Sequence, residues 1–396
     1  MQGYPRADGR KGLRNLVAVG YLVECAHHVA REIALPLREQ GVHVVGFPGC
    51  YPNDYAQRMM EALCTHPNVG AVLLVSLGCE AFNKYGLERA VRDSGRPVKT
   101  LTIQATGGTR ASIAEGRAWV AEQQALLAHI PTVPMAVSEL VVGTVCGGSD
   151  GTSGITGNPA AGRAFDRLVA QGAACIFEET GELIGCEHIM AARALTPELG
   201  LELEASVAKA ARYYATLGYG SFAPGNADGG LTTIEEKSMG AYAKSGASPI
   251  SGLLKPGDVP PRGGLYLLDV VPDGEVRFGF PNINDNAEIA ELIACGSHVV
   301  LFVTGRGSVV GSAIAPVVKI CANPETFRRM SDDMDVDAGR ILETGASLDA
   351  VGDEIVDCII GLGQGGRTRS EELGHQEFIL TYKSFEPIGP ACLPAG

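Results

Sequence analysis

The feature that most constrains the fold is a regular alternation of strand-like and helix-like segments in the first third of the chain. Apolar runs with β-branched residues predict strands at residues 16–23, 42–47, 71–77 and 98–103. Each run is followed by a segment whose apolar residues recur with helical spacing. This alternation predicts an α/β fold with a doubly wound parallel sheet. Pro131 and Pro134 interrupt the pattern, so we place a boundary between an N-terminal domain (1–135) and a larger C-terminal α/β domain (136–396).

The composition narrows the class of function. The 396 residues carry a formal net charge of −13, which disfavours binding to nucleic acid or to an anionic membrane surface. Apolar runs stay shorter than a membrane span, and residues 1–14 lack the apolar core of a signal peptide. We therefore expect a cytoplasmic protein, in which the 11 cysteines are thiols, metal ligands or core residues rather than disulfides.

Several cysteines follow predicted strands. Cys25, Cys50 and Cys79 come after the first three strands, and Cys146 ends a further strand-like run at 140–145. The carboxyl ends of parallel strands share one edge of a sheet, where ligands bind. We therefore expect these thiols to converge, although each can also be a small core residue.

A polar loop follows Cys146. Residues 146–159 are almost all Gly, Ser, Thr, Asp and Asn, and such a loop can present backbone N–H groups and side chains to an anion. Ser149 and Asp150 are the predicted substrate-binding residues in it. The alternative is an ordinary flexible loop, but its length favours a function.

Acidic residues concentrate after the next predicted strand, at 173–177. Glu179 and Glu182 follow it within five residues, and His188 comes soon after. Carboxylates and an imidazole in one short segment suit hard-metal binding or proton transfer. The alternative is a solvated acidic loop that precedes a helix.

Further candidates lie near glycine-rich turns. Asn226 lies in the turn at 225–230, and Lys237 and Lys244 follow it. Arg306 comes after a predicted strand at 299–303, where it can clamp a carboxylate through two hydrogen bonds. A loop arginine can equally face solvent.

Two motif matches lack their structural context. Gly361-x-Gly363-x-x-Gly366 matches the dinucleotide fingerprint but follows a predicted helix rather than a strand. Gly147-x-Ser149-x-Gly151 matches a nucleophile elbow, which requires a helix directly after the serine. A serine hydrolase with His188 or His375 as base is therefore only a weak alternative.

Seven ordered motifs over nearly the whole chain resemble one family, the altronate/galactarate dehydratases, with the sulfolactate sulfo-lyase large subunit as a relative. The motifs are residues 3–10, 77–80, 146–150, 225–226, 229–237, 244–246 and 304–308. The resemblance implies a Rossmann-like N-terminal domain, a large C-terminal α/β domain, and a carbon–oxygen lyase that acts on sugar acids with a divalent metal, usually iron.

Two departures from the family pattern affect these expectations. The single-chain dehydratases begin with a small SAF domain, whereas here the opening motif starts at Gly3, which implies a separate small SAF-domain subunit as partner. The segment 269–286 does not resemble the dehydratases, so the substrate is not carried over. We also expect a homo-oligomer.

The expected reaction is β-elimination from a 2,3-dihydroxy acid to a 2-keto-3-deoxy acid. Glu179, Glu182 and His188 are candidates for base and metal ligands, and Lys237 and Lys244 for acid or base if desolvation lowers their pKa. Ser149, Asp150, Asn226 and Arg306 would hold the carboxylate and hydroxyls of the substrate.

The metal and the leaving group are left open. Cys50, Cys79 and Cys146 as three thiolates would suit an iron–sulfur cluster, whereas oxygen and nitrogen ligands would suit a single Fe(II), Mn(II) or Mg(II). Release of sulfite from 3-sulfolactate is the alternative reaction, and a scaffold role beside a catalytic small subunit is the non-enzymatic alternative.

Overall fold

In the computed structural model, the structure describes residues 1–217, 224–274, 284–380 and 383. The strands in these ranges are β1 Gln2–Pro5, β2 Lys11–Gly12, β3 Leu16–Tyr21, β4 Val42–Gly46, β5 Val69–Ser76, β6 Val98–Thr102, β7 Val133–Pro134, β8 Val141–Cys146, β9 Ala174–Phe177, β10 Ile250–Leu254, β11 Gly264–Leu268, β12 Val299–Thr304, β13 Val317–Cys321 and β14 Val336–Asp337.

The α-helices alternate with many of these strands. They are α1 Glu24–Ala34, α2 Asp54–Cys64, α3 Lys84–Asp93, α4 Ile103–Thr106, α5 Thr109–Leu127, α6 Gly157–Ala170, α7 Glu187–Ala191, α8 Pro197–Leu217, α9 Pro224–Asp228, α10 Ile234–Tyr242, α11 Asp285–Ala294, α12 Pro324–Arg329, α13 Arg340–Thr344, α14 Leu348–Leu362 and α15 Arg369–Leu373. Short 3-10 helices cover Leu35–Gln40, Val137–Glu139, Thr180–Leu183 and Ala243–Ser245.

The N-terminal third forms a four-stranded parallel sheet in the order β4-β3-β5-β6. All eight residues of β5 are buried, as expected for a parallel strand that is covered on both faces. The predicted strands and their intervening helices are found within a few residues of the expected positions. The α/β fold class is confirmed, whereas the domain boundary near residue 135 stays a prediction.

The larger part of the chain forms a seven-stranded parallel sheet in the order β10-β11-β9-β8-β12-β13-β14. β8 lies at its centre, between β9 and β12, and all three strands run in the same direction. Their carboxyl ends therefore meet at one edge, where Cys146 is the last residue of β8. A small antiparallel sheet, β2-β1-β7, is the third sheet of the described residues.

The two discounted motifs lie where the sequence suggested. Residues 361–366 begin in the last turn of α14 and do not follow a strand, which is not the context of a dinucleotide-binding turn. α6 begins only at Gly157, so Ser149 is not at a strand-to-helix elbow. No helix within the described residues is both long enough and apolar enough to cross a membrane.

Candidate active site

The candidate site begins where β8 and β9 end side by side. β9 ends at Phe177, and Glu178 and Glu179 follow it directly. The backbone N–H of Cys146 donates to Oε1 of Glu179 at 3.0 Å, and the Cys146 Sγ lies 3.2 Å from Oε2 of the same carboxylate. The adjacent strand ends therefore place a thiol against a carboxylate inside the protein.

Glu179 holds an unusual backbone conformation. Its φ of 88° is positive, which no other described non-glycine residue shares. The left-handed region costs a residue with a side chain roughly 1–2 kcal/mol. The 3-10 helix Thr180–Leu183 starts directly after it and places Glu182, whose Oε2 is 3.6 Å from the Cys146 Sγ. This turn thus brings a second carboxylate to the same sulfur, at a backbone cost typical of functional sites.

Two buried lysines complete the group. Lys244, which is 1% exposed, pairs with Glu179 and donates to the Cys146 Sγ at 3.2 Å. Lys237, on α10 and 8% exposed, pairs with Glu182. We call these five residues the Cys146 cluster: Cys146, Glu179, Glu182, Lys237 and Lys244. It joins a nucleophilic sulfur, two carboxylates and two amines, which is a set able to bind cations and to move protons.

The protonation of the cluster follows from burial and from its neighbours. Burial raises the pKa of the Cys146 thiol, and the Lys244 ammonium offsets this only in part. Burial alone would lower the pKa of Lys237, but the Glu182 carboxylate outweighs it and raises that pKa above its ordinary value. The condition set for Lys237 as an acid or base, a pKa lowered by desolvation, is therefore not met.

A pocket of about 250 Å³ opens beside the cluster. Cys146 and Lys237 line it together with Ser149 and Asn158. The Ser149 hydroxyl lies 3.7 Å from the Cys146 Sγ, and the amide Nδ2 of Asn158 lies 3.9 Å from it. The Asn158 Oδ1 is buried and has no hydrogen-bond partner in the described residues. The pocket therefore offers a thiol, an amine, a hydroxyl and an amide to a small polar ligand.

The other predicted substrate-binding residues have different surroundings. Asp150 lines the pocket, but its carboxylate accepts hydrogen bonds from Thr152 and from Asn323, so it braces the loop. Arg306 is exposed and donates to the carbonyl of Gly225, and neither it nor Asn226 lines the pocket. The prediction that these three hold substrate is supported only by the position of Asp150 at the pocket wall.

Three of the residues predicted to be catalytic or to bind metal lie outside the cluster. Cys50 and Cys79 are exposed and follow β4 and β5, which belong to the four-stranded sheet rather than to the sheet of Cys146. The expected convergence of these thiols is not found in the contacts of the described residues, because the strand ends belong to two separate sheets. His188 is also exposed, on α7, and it is absent from both candidate metal-ligand groups.

No histidine of the described residues makes a hydrogen bond with Ser149, as a serine hydrolase would require. The described side-chain contact of Ser149 is with the Cys146 sulfur. His188 is exposed, and the His375 ring lies 3.4 Å from the Lys319 amine.

A second layer of carboxylates lies behind the cluster and was missed at the sequence level. Asp285 and Glu288 belong to α11, which is buried from Ala287 to Ala294. A Cβ on Gly147 would lie 2.0 Å from Oδ2 of Asp285, so the glycine permits this close approach. Burial raises the pKa of Asp285 to about 6 and that of Glu288 to about 8. Acidic residues spaced three apart in an apolar helix were the available signal.

The comparisons with known proteins bear on this site. Residues 3–127 match the family model described as D-galactarate dehydratase/altronate hydrolase, second domain, and residues 137–385 match the D-galactarate/altronate dehydratase C-terminal model. The chain belongs to the galactarate/altronate dehydratase family. This confirms the resemblance seen in the seven motifs, and the C-terminal family region contains the whole Cys146 cluster.

Several known members of this family are similar to the protein over nearly all of its chain. It is 33% identical to the (2R)-sulfolactate sulfo-lyase subunit beta of Chromohalobacter salexigens, over 96% of both chains. It is 29% identical to the altronate dehydratase of Bacillus subtilis and 31% identical to the galactarate dehydratase of Escherichia coli. The alignments cover 96% and 94% of this chain and 77% and 74% of those relatives. The chain is therefore an enzyme of the lyase class.

Proposed function

We propose that this enzyme removes the C2 proton of a 2-hydroxy acid and expels the group on C3. In the first form, a 2,3-dihydroxy sugar acid loses water and gives a 2-keto-3-deoxy acid. The observation that carries the proposal is the pocket of about 250 Å³ whose wall contains Cys146 and Lys237 of the Cys146 cluster. A pocket of this size, with a few polar groups on its wall, suits a small hydroxy acid.

The chemistry sets two requirements. The C2 proton is weakly acidic because the neighbouring carboxylate already carries a negative charge, so positive charge must stabilise the enediolate that forms. A group that exchanges protons must also reach the substrate. The Cys146 cluster meets both requirements with its ammonium groups and its potential cation ligands.

The cluster suits one divalent cation. Single donor atoms of Cys146, Glu179 and Glu182 lie within 4.8 Å of one another. A thiolate with two carboxylates can hold Fe(II), the metal that the family resemblance implies, and Mn(II) or Mg(II) would rely on the oxygens. Bound there, the cation would supply the positive charge that neutralises the substrate carboxylate and the developing enediolate. The surroundings of the Cys146 sulfur do not support an iron–sulfur cluster with Cys50 and Cys79.

We assign proton transfer to Lys237, because it is the amine of the cluster that lines the pocket. Its raised pKa keeps it an ammonium, so it would deliver a proton to the C3 oxygen as the C3–O bond breaks, while its partner Glu182 would accept the C2 proton as a carboxylate. The resulting enol then tautomerises to the ketone. Glu182 orients Lys237 through their ion pair. Ser149 and Asn158 are placed to hold substrate hydroxyls, whereas Lys244 is a positioning residue that pairs with Glu179 one layer deeper.

The second candidate is sulfite elimination from 3-sulfolactate. The same C2 proton is removed, but the C3–S bond breaks and sulfite leaves. It is favoured by the alignment with the sulfo-lyase subunit, which covers 96% of both chains, whereas the dehydratase alignments cover 74–77% of those longer proteins. Part of the segment 269–286, which does not resemble the dehydratases, lies outside the described residues, at 275–283.

We also propose that a separate small SAF-domain subunit completes the enzyme. The name of the sulfo-lyase relative, a subunit beta, supports a two-subunit arrangement. The isolated chain should then show weak activity that the small subunit restores, and full turnover by the chain alone would remove the need for this partner.

A substrate panel tests the proposed function. The chain, with and without the co-encoded small protein, is incubated anaerobically with Fe(II) and a set of sugar acids and 3-sulfolactate. Formation of a 2-keto-3-deoxy acid supports the dehydratase, and release of sulfite supports the sulfo-lyase. The Cys146→Ser variant should abolish either product, and the His188→Ala variant is the matched control that should retain it.

A further inference from the structure

A second group of acidic side chains adjoins the Cys146 cluster and shares Glu179 with it. Single carboxylate oxygens of Glu178, Glu179 and Glu288 lie within 4.8 Å of one another. All three residues are buried, with exposures of 0%, 5% and 6%. Glu178 follows β9 directly and Glu288 lies on α11, so two elements bring these carboxylates to one point. Glu179 belongs to both groups of potential ligands.

Glu178 supplies an independent observation. Both of its carboxylate oxygens are buried and neither has a hydrogen-bond partner in the described residues. The neighbouring amines are engaged elsewhere, since Lys244 pairs with Glu179 and Lys383 pairs with Glu291 at 2.8 Å. Burial without a partner strongly penalises an ionised carboxylate, so a positive ligand at this point would be stabilised.

We propose that Glu178, Glu179 and Glu288 bind a second divalent cation, with Glu179 shared between the two cation positions. The donors here are oxygens only, and this set suits a hard cation such as Mg(II) or Mn(II). The group at Cys146 contains a sulfur and suits a softer ion. The two positions thus differ in chemistry although they share one residue. This inference deepens the proposed function, but the second position rests on its own carboxylates.

Mn(II) binding to the full chain tests the proposal. The protein is stripped of metal and titrated with Mn(II) alone, and bound metal is measured by elemental analysis and by electron paramagnetic resonance. The wild type should bind two equivalents per chain, with the broadened signal of two magnetically coupled ions. Glu288→Gln and Glu178→Gln should each bind one equivalent with an uncoupled signal. Cys146→Ser should weaken the other equivalent, and Glu187→Gln is a control that should keep both.

The variants are expected to fold, because glutamine has nearly the shape of glutamate and leaves no ionisable carboxyl group at the buried position. Without metal, Glu178→Gln should melt at or above the wild-type temperature. The proposal would be overturned if Glu288→Gln bound two equivalents of Mn(II), as the wild type does. It would also be overturned if the wild type bound one equivalent and Glu288→Gln bound the same amount. If the wild type binds one equivalent of Mn(II), and Glu288→Gln loses it while Cys146→Ser keeps it, the result would support the site at Glu178 and Glu288. The same result would overturn the cation role of Cys146.

Discussion

Replacing Lys244 by methionine removes the one amine that contacts both Glu179 and Cys146, as judged from the described residues. Methionine keeps most of the side-chain volume, so the main loss is electrostatic. Breaking a buried pair by removing one partner costs about 3–5 kcal/mol. Protonating the stranded Glu179 carboxylate instead would cost about 4 kcal/mol at pH 7.5, since each unit between the solution pH and its ordinary pKa is worth about 1.4 kcal/mol.

Because the lost stability comes from an unpaired carboxylate, its magnitude should depend on pH. The free energy of unfolding of Lys244→Met, measured by urea titration with circular dichroism in EDTA, should be about 4 kcal/mol below wild type at pH 7.5. The deficit should shrink to about 1.6 kcal/mol at pH 5.5, because the carboxylate then protonates more easily. Adding Glu179→Gln to Lys244→Met should recover at least about 2 kcal/mol at pH 7.5, as no charge is left unpaired.

Lys209→Met is the matched control. Lys209 pairs with Asp269 at 2.5 Å and with Asp273 at 2.7 Å, but Lys255 pairs with the same two carboxylates. Its removal leaves each carboxylate a partner, so the loss should be about 1 kcal/mol with little dependence on pH. A Lys244→Met deficit below 1 kcal/mol, or one that does not change with pH, would refute the buried-pair reasoning.

Three further outcomes follow from the same structure. Lys237→Gln should lower kcat at least about 100-fold with a smaller change in KM, as expected for loss of a proton-transfer group. Glu235→Gln, on the same helix, should stay within about threefold of wild type, because Glu235 is exposed and does not line the pocket. His188→Ala should retain activity within about threefold, since the imidazole is exposed, and a large loss in kcat would return this residue to the site. Burial lowers the pKa of His298 from 6.5 to about 4, so its stabilising effect is complete above about pH 6.5 and declines as the pH falls towards 4. Between pH 7.5 and 5.5, the free energy of unfolding should therefore fall by about 1.3 kcal/mol less in His298→Gln than in the wild type. Equal decreases would contradict the lowered pKa of His298.

The parallel fold was predictable because its signal is local. A parallel strand that is buried on both faces, such as β5, is encoded by a continuous apolar run. Such runs, and their alternation with helical segments, are visible in the sequence. The meeting of Cys146 with Glu179 was also foreseeable, since both follow strand ends and β8 and β9 are neighbours. Sequence places such residues at a sheet edge, and adjacency in the sheet then brings them together.

What the sequence did not show, namely the separate sheet of Cys50 and Cys79 and the approach of Glu288 to Glu178, also has a physical reason. Cys50 and Cys79 follow strands as Cys146 does, but the sequence did not show that their strands pair in a different sheet. Glu288 lies more than 100 residues beyond Glu178, and only the packing of α11 brings their carboxylates together. Long-range pairing of this kind depends on tertiary structure, which no local pattern records.

The central claim is that the Cys146 cluster carries out elimination from a 2-hydroxy acid, and proton NMR of the reaction in D2O tests it most directly. The metal-loaded chain, with its small partner, is given the acid that the substrate panel identifies. The account predicts loss of the C2 proton signal and a keto product that carries deuterium at C3, with both changes nearly abolished in Cys146→Ser and Lys237→Gln and retained in Glu235→Gln. Wild-type rates of product formation in both cluster variants would contradict the account.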